Sequence, residues 1–281
     1  MKVVLLRGRD QREIGAAICR GDARVAVALS IGGAAKRYAH TDPNEDAALL
    51  AEGAGGILVA VADGHGGAEA SESALECLRD GPAARWTGAE ALDVDWPRTA
   101  REALVAANEA VLARQSGRRR ARTTLALALV RPAQDLLAFA SVGDSQVFAA
   151  ERRRVLELTL APSEPALPCF LGRERWSAAH LADRSLAGSR SLAATRAVVL
   201  ATDGLSERGV GVEDPRAAVA EAVEAAVREA RGAAACEAAR RLLETALAAH
   251  RRNPSGDNVA VAVVWTAGDA RRDPSLSGLL H

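Results

Sequence analysis

The stretch GILVAVADGHGG, at residues 56–67, decides both the fold and the kind of site that this chain carries. Its first part, Gly56–Ala62, is short, apolar and partly β-branched, which is typical of a strand buried on both faces. Asp63 follows the strand directly, and the glycine-rich turn behind it contains His65. Glycine lets the backbone turn sharply and lets an ion or a water molecule approach the main chain. The sequence therefore predicts a buried strand that ends in an accessible carboxylate.

The same arrangement of an apolar strand beside an aspartate recurs along the chain. Further buried strands are predicted at Thr123–Val130, Asp135–Val142, Ala197–Ala201 and Asn258–Trp265, and weaker ones at Arg24–Ile31, Ala47–Ala51, Gln146–Ala150 and Val155–Leu160. The aspartates that adjoin strands are Asp46, Asp63, Asp144, Asp203 and Asp257. Antiparallel neighbours bring the end of one strand beside the start of the next. We therefore expect these side chains to converge at one edge of a sheet.

Helical patterns are grouped separately from the strands. Helices are predicted at Ala68–Arg79 and Pro97–Gln115, and a long helical stretch at Pro215–His250 is expected to divide at Gly232. The apolar stripe of that stretch, with Val227 as one member, is predicted to pack on a sheet.

The order of elements indicates the fold class. Consecutive strands on either side of residues 131–134 are too close in sequence for a helical crossover, so they are predicted to be antiparallel. Separate groups of strands and helices favour an α+β fold over a doubly wound parallel sheet. We expect a single domain over residues 1–267 and a loosely ordered tail at residues 268–281.

Composition excludes several classes of function. The 281 residues carry 36 basic and 36 acidic side chains, so the chain lacks the basic surface of a general nucleic-acid binder. Aromatic residues make up 3%, too few for base-stacking platforms. Apolar runs are shorter than the roughly 18 residues of a membrane span. The four cysteines form no CxxC pair, which indicates reduced thiols. We expect a cytoplasmic monomer that binds neither nucleic acid nor a membrane.

Converging aspartates predict a metal site. Carboxylates that crowd together raise one another's pKa, and divalent cations relieve the repulsion. Oxygen ligands without a histidine or thiolate cluster favour Mg²⁺ or Mn²⁺ over Zn²⁺, and His250 and the other scattered histidines are interpreted as surface or packing residues. Two ions that share Asp63 would activate a water molecule for phosphate-ester hydrolysis. A single Asp-Gly at a strand end is more often only a turn, but its repetition beside apolar strands favours the site.

Six segments in order resemble the protein phosphatase 2C family of metal-dependent serine/threonine phosphatases. They are NEDA (44–47), VAVADGHGGAEAS (59–71), TTLALALV (123–130), ASVGDSQVF (140–148), VLATDGLSE (199–207) and SGDNVAVAVV (255–264). The resemblance extends over about residues 20–267. It implies a four-layer αββα sandwich, with two central antiparallel sheets flanked by helices and metals in a cleft at one end.

The resemblance also implies a role for each site residue. Asp63 would bridge two metals and Gly64 would offer its backbone carbonyl, while Asp203 and Asp257 would hold the second metal. Glu45 and Asp46 would orient metal-bound waters, and Asp144 together with Asp203 would form a weaker third metal site. His65 matches the general acid that protonates the departing serine or threonine oxygen.

Three departures from the family pattern concern the substrate. Thr41 stands where relatives carry a phosphate-binding arginine, and Arg37 lies four residues earlier. Arg122 replaces the glycine before the paired threonines, and its guanidinium could bind phosphate, although a solvated basic turn is the simpler interpretation. The segment between Ser145 and Asp203 predicts a shortened flap over the cleft.

The predicted function is Mg²⁺- or Mn²⁺-dependent hydrolysis of phosphoserine and phosphothreonine on proteins, in a bacterial member of the family. The expected partners are phosphorylated proteins, in particular a serine/threonine kinase or its targets. Two alternatives stay open at this point. One is a weak or silent relative that regulates by binding phosphoproteins, and the other is a hydrolase of small phosphate esters.

Overall fold

The apolar segments of the chain form two antiparallel sheets in the computed structural model, which describes residues 1–115, 120–159, 169–229 and 232–266. The strands are β1 (Lys2–Arg7), β2 (Ala17–Gly21), β3 (Val25–Ser30), β4 (Ala47–Glu52), β5 (Ile57–Ala62), β6 (Gly64–His65), β7 (Arg122–Thr123), β8 (Leu125–Arg131), β9 (Leu136–Val142), β10 (Gln146–Glu151), β11 (Val155–Glu157), β12 (Ser185–Ser191), β13 (Thr195–Ala201) and β14 (Val259–Trp265). Short 3₁₀ turns cover Gly8–Asp10, Pro132–Gln134 and Asp203–Leu205.

Two sheets of the described residues lie face to face. The first has the strand order β1-β4-β5-β8-β9-β12 and the second β11-β10-β13-β14-β3-β2, while β6 and β7 form a separate two-stranded ribbon. Alternate side chains of the central strands point into the space between the sheets, where Val27, Val59, Val198 and Ala260 belong to one fully buried cluster. Because the other faces are buried as well, the central strands are apolar throughout, as in a strand covered on both sides.

Helices cover the outer face of each sheet. They are α1 (Glu69–Asp80), α2 (Ala83–Thr87), α3 (Trp96–Arg114), α4 (Ala178–Ala182), α5 (Pro215–Glu229) and α6 (Ala234–Arg252). The first three pack on the first sheet through a cluster that includes Trp86 and Trp96, whose rings lie 5.0 Å apart. The last two pack on the second sheet through an alanine-rich cluster. The layers thus follow the order helix, sheet, sheet, helix, and the predicted αββα sandwich is confirmed.

Local signals set the helix ends. The Asp95 carboxylate accepts a hydrogen bond from the Arg98 N–H at 3.4 Å and begins α3 as its N-cap. The predicted division of the long helical stretch falls between α5 and α6, where Gly232 has a φ of +83° that other residues rarely adopt. The prediction for Val227 is wrong, because this side chain is 50% exposed on α5 and lies outside the stripe that packs on the sheet.

Three of the four edge strands of the two described sheets escaped prediction, the exception being β11, which lies within the predicted strand Val155–Leu160. β1 and β12 border the first sheet and β2 borders the second. Apart from Leu6, their residues are exposed or half-buried, and they include charged and hydroxyl side chains, as in the SLAGSRS of β12. An edge strand needs no continuous apolar run, so neither periodicity nor composition reveals it. The flap prediction concerns mainly residues 160–168, and the predicted tail lies at residues 268–281; both fall outside the described residues.

Across the ranges that the structure describes, no helix combines the length and the apolar character that crossing a lipid bilayer would require.

Candidate metal centre

Six carboxyl groups meet at one end of the sandwich, and we call them the acidic cluster: Asp46, Asp63, Asp144, Asp203, Glu207 and Asp257. The strand register brings them together. Ala47 pairs with Ala62 across β4 and β5, so Asp46 and Asp63, each one residue further out, face the same end. Across β13 and β14, the Thr202 N–H donates to the Ala260 carbonyl at 3.0 Å. The strand-end aspartates therefore converge, but they do so where the ends of two packed sheets meet and not, as predicted, at one edge of a single sheet.

Carboxylate oxygens of the cluster lie within the reach of shared cations. Asp63, Asp144 and Asp203 each offer one oxygen within 4.8 Å of the other two. Asp203, Glu207 and Asp257 do the same. Asp203 belongs to both groups, so the two sets form one continuous site.

Burial and mutual repulsion make the charged forms of these groups costly. Burial, followed by the charges of neighbouring aspartates, raises the pKa of Asp63 and of Asp203 well above the usual range. Burial and Asp257 raise the pKa of Asp46 to about 7 and that of Glu207 to about 7. Protons or cations must therefore compensate the cluster at neutral pH.

The donor atoms fit hard divalent cations. Asp63 is 6% exposed, and its Oδ2 has no hydrogen-bond partner among the described residues; the same holds for Oδ1 of Asp46. A buried carboxylate oxygen without a donor is costly, and a cation satisfies it. The cluster offers only oxygens, which suits Mg²⁺ or Mn²⁺. The residues present therefore fit the cations that the sequence predicts.

Gly64 and Glu45 are held tightly against each other. A Cβ at Gly64 would lie 2.3 Å from the Glu45 carbonyl oxygen, so only glycine fits there. The Glu45 carboxylate accepts hydrogen bonds from the backbone N–H groups of Thr41 at 2.8 Å, Asp42 at 3.0 Å and Gly66 at 3.1 Å. Glu45 thus fixes the loops beside the cluster through backbone donors.

Asp46 is tied to the second sheet as well. Its Oδ2 accepts a hydrogen bond from the Thr202 hydroxyl at 2.7 Å. Thr202 precedes Asp203, so this bond fixes the distance between the strand ends of the two sheets. Oδ1 remains available to a further donor or to a metal-bound water.

His65 and Arg122 stand at the rim of the site. They are opposite residues of the β6–β7 ribbon, and His65 Nδ1 lies 3.5 Å from Asp63 Oδ2. Phe170 joins them, since its ring centre is 4.8 Å from the imidazole and 4.6 Å from the Arg122 guanidinium carbon. Burial and then the Arg122 charge lower the pKa of His65. Arg37 lies in the segment before Asp46 and, like Arg122, is exposed.

Several residues of the site were not predicted from the sequence. Glu207 follows Asp203 by four residues, and its N–H donates to the Asp203 carbonyl at 2.5 Å, so one helical turn brings both carboxylates to the same side. That spacing within VLATDGLSE is the signal that could have identified it.

The role of His250 in linking two segments near the site was not predicted either. It is fully buried in α6, where Nδ1 accepts the Gly33 N–H at 3.2 Å and Nε2 donates to the Gly204 carbonyl at 2.7 Å. This imidazole links α6 to the turn that carries Asp203. Nothing in the local sequence indicates such a link, because its partners are backbone atoms far away in the chain.

Comparisons with known proteins agree with this architecture. A family model described as protein phosphatase 2C matches residues 34–248. No curated protein matches the chain. Among solved structures, the catalytic domain of the serine threonine protein phosphatase PstP in complex with two manganese ions is 22% identical, covers 94% of this chain and 99% of its own, and superposes with a TM-score of 0.57.

Two further structures share the fold. The PPM Ser-Thr phosphatase MsPP from Mycobacterium smegmatis, solved in complex with cacodylate, is 24% identical over 87% of this chain and 99% of that chain, with a TM-score of 0.58. The serine/threonine phosphatase Stp1 from Staphylococcus aureus is 19% identical over 91% of this chain and 98% of that chain, with a TM-score of 0.62. At these identities the likeness shows the fold.

Proposed function

This chain belongs to the protein phosphatase 2C family of metal-dependent serine/threonine phosphatases, and on that premise we propose that its acidic cluster holds the divalent cations of the reaction. The observation that carries this proposal is that two sets of three carboxylates share Asp203, beside the Asp63 Oδ2 that accepts no hydrogen bond from any residue that the structure describes. PstP, which shares the fold, contains two manganese ions, and this supports Mn²⁺ or Mg²⁺ here.

We assign the ligands by their place in the cluster. Asp63 would be shared between two cations, with the Gly64 carbonyl beside it, and Asp203 and Asp257 would hold the second. Asp144 lies with Asp63 and Asp203 and would contribute to a third, weaker site. When bound, such cations lower the pKa of a water molecule between them and neutralise charge on the phosphoryl oxygens.

Residues around the cluster would position the reactants. Asp46 offers its unpartnered Oδ1 toward water, and Glu45 holds the adjoining loops. His65, at the rim, would donate a proton to the departing serine or threonine oxygen. Because its pKa is lowered, His65 is protonated at a lower pH than an ordinary imidazole, so its contribution as a proton donor should grow as the pH falls. Substrates with a poor leaving group should depend on this proton more than aryl phosphates do.

Arg122 is the better placed of the two candidate phosphate-binding arginines. Both side chains are exposed, but Arg122 lies opposite His65 on the β6–β7 ribbon and over the Phe170 ring, whereas Arg37 lies on a loop. A guanidinium binds a phosphate dianion with two parallel hydrogen bonds. We propose that Arg122 binds the substrate phosphate in place of the arginine that Thr41 replaces.

The proposed substrates are phosphorylated proteins of the cytoplasm, in particular a serine/threonine kinase or its targets. The four cysteines are free thiols, and this fits a reducing compartment.

Phosphatase assays test the proposal directly. With Mn²⁺, the purified protein should hydrolyse an aryl phosphate and a phosphothreonine peptide, and EDTA or Asp203→Asn should abolish both activities. His65→Asn should lower the rate on the peptide more than the rate on the aryl phosphate. Turnover of neither substrate would contradict catalysis and leave a phosphoprotein-binding role. Turnover of small esters without peptide turnover would instead identify a small-molecule phosphatase.

A further inference from the structure

A buried lysine lies within the wall of the acidic cluster. Lys36 is one of only two lysines in the chain, and its side chain is 4% exposed. Its ammonium group lies 3.5 Å from Oδ1 of Asp257 and donates to Oδ1 of Asn258 at 2.5 Å. Buried lysines are uncommon unless they are paired, so this position calls for a specific explanation.

The surroundings of Lys36 hold its charge in a fixed place. The Tyr38 hydroxyl donates to the same Asp257 oxygen, and the Lys36 ammonium lies 5.1 Å from the centre of the Tyr38 ring. Asn258 in turn accepts the Glu45 N–H at 2.8 Å and donates its amide to the Ile31 carbonyl at 3.1 Å. Lys36 is therefore clamped between a carboxylate and an amide that is itself fixed.

The charge of Lys36 acts on the cluster beyond Asp257. Burial and Asp257 raise the pKa of Asp46, and Lys36 opposes that rise. It opposes the rise in the pKa of Glu207 in the same way. A fixed positive charge so close to these carboxylates also repels any divalent cation that approaches them.

We infer that Lys36 is a permanent counter-ion of the metal centre, which positions the Asp257 carboxylate and weakens the binding of a divalent cation there. This inference rests on the proposed metal ligands. A cation that binds Asp257 meets a carboxylate already shared with an ammonium group and a hydroxyl. Removal of the ammonium group leaves that carboxylate to the metal alone.

The direction in which metal affinity changes when the Lys36 charge is removed distinguishes a counter-ion from a residue that only supports the fold. A lysine that merely supports the fold would, when removed, disorder Asp257 and weaken metal binding. A counter-ion would, when removed, strengthen it. Because the ammonium group lies 3.5 Å from a proposed ligand oxygen, Coulomb repulsion predicts that its removal tightens binding at least about fivefold.

Calorimetric titration with Mn²⁺ measures this sign. Lys36→Met should bind Mn²⁺ at least about fivefold more tightly than the unmodified protein, and Lys36→Arg should stay close to the unmodified protein. Lys2→Met is the matched control, because Lys2 forms an exposed pair with Asp22 and should leave the affinity unchanged. Unchanged or weaker binding by Lys36→Met overturns the inference. So does unchanged Mn²⁺ affinity with a raised KM for aryl phosphate, which would assign Lys36 to the substrate.

A second measurement needs no variant of Lys36. Protein labelled with ¹³C at the lysine Cε position should give two lysine signals, and Lys2→Met identifies the signal of Lys2. Titration with Mg²⁺ should move the Lys36 signal alone. If neither signal moves although calorimetry detects metal binding, the inference fails and the proposed ligands stand. If the unmodified protein binds no Mn²⁺ at all, the proposed ligands and the inference fail together.

Discussion

The apolar space between the two sheets and the acidic cluster at the end of the same strands have opposite chemistry. Along β5, the last apolar residue and the first residue of the cluster are neighbours in the chain. All residues of β5 are buried and apolar, and the next residue, Asp63, has a buried oxygen without a partner. β13 ends in the same way before Thr202 and Asp203. The apolar side holds its side chains in dense contact, which stabilises the fold. The acidic side concentrates like charges, which destabilises it.

Within one strand, the buried apolar residues therefore determine stability, and the carboxylate at the strand end determines activity. The rigid interior fixes where each strand ends, and the strand ends fix the distances between carboxylates. Functional groups that repel one another persist only where the surrounding structure determines their positions. Substitutions in the interior should therefore change the free energy of unfolding. Substitutions at the acidic end should change activity and leave the metal-free fold as stable as before, or more stable.

The largest expected effect is the loss of turnover in Asp63→Asn. Removal of a shared ligand should lower the Mn²⁺-dependent rate by about a thousandfold or more, since cation chemistry contributes several kcal/mol. The melting temperature in EDTA should stay the same or rise, because one repelling charge is gone. Steady-state kinetics and thermal melts measure the two quantities.

Asp93→Asn serves as the control for that substitution. Asp93 is exposed in the segment before α3 and should tolerate the change in both measurements. A strong drop in the melting temperature of metal-free Asp63→Asn would show that Asp63 supports the fold, contrary to the contrast between the two regions.

The next effect belongs to the interior. Leu29 is fully buried in β3 within the cluster between the sheets, so Leu29→Ala should lower the free energy of unfolding by about 3 kcal/mol. Val3→Ala, on the exposed part of β1, should cost less than about 0.5 kcal/mol. Urea denaturation measures both. The rate per folded molecule of Leu29→Ala should match the unmodified protein, and a large fall in that rate would contradict the separation.

The pH dependence of stability gives a third and smaller effect. The pKa values of Asp46, Asp63, Asp203 and Glu207 are raised in the folded state, so the folded protein binds more protons than the unfolded chain between about pH 4 and 8. Their contribution to stability is present below pH 4 and is lost as the pH rises through the folded values. The melting temperature in EDTA should therefore fall by several degrees between pH 5 and pH 8.

Saturating Mn²⁺ should reverse that trend. Metal binds the ionised carboxylates, so its affinity increases with pH and offsets the loss. The lowered pKa values of His65 and His250 act in the opposite direction in the acidic part of the range, but these are two groups against the four carboxyl groups. Thermal melts at several pH values, in EDTA and in Mn²⁺, measure both pH dependences. A melting temperature in EDTA that rises from pH 5 to pH 8 would be inconsistent with the repulsion described here.

The interior and the strand-end aspartates were predictable from the sequence for physical reasons. Strands buried on both faces must be apolar, so β5, β8, β9, β13 and β14 stand out as runs. An aspartate that directly adjoins such an apolar run is recognised together with it in the sequence. Antiparallel pairing brings the aspartates of each sheet together, and the face-to-face packing of the two sheets brings both groups into one site.

What the sequence did not reveal depends on contacts between distant segments. Lys36 meets Asp257 across 221 positions, and His250 bonds only to backbone atoms of Gly33 and Gly204. No local pattern encodes such pairs. Edge strands such as β12 lack a signal because half of their surface faces solvent.

The smallest expected effect concerns the rim, where positive charge faces the acidic end. If Arg122 binds the substrate phosphate, Arg122→Ala should raise the KM for a phosphothreonine peptide about tenfold, the amount that one charge-assisted hydrogen-bonded pair contributes. Arg122→Lys should not restore the KM, because an ammonium group neither stacks flat on Phe170 nor forms two parallel bonds. Arg120→Ala, at an exposed residue two positions earlier, should leave the KM unchanged. Equal KM values for Arg122→Ala and the unmodified protein would leave Arg122 as a solvated turn residue, and the rim would then contribute shape rather than charge.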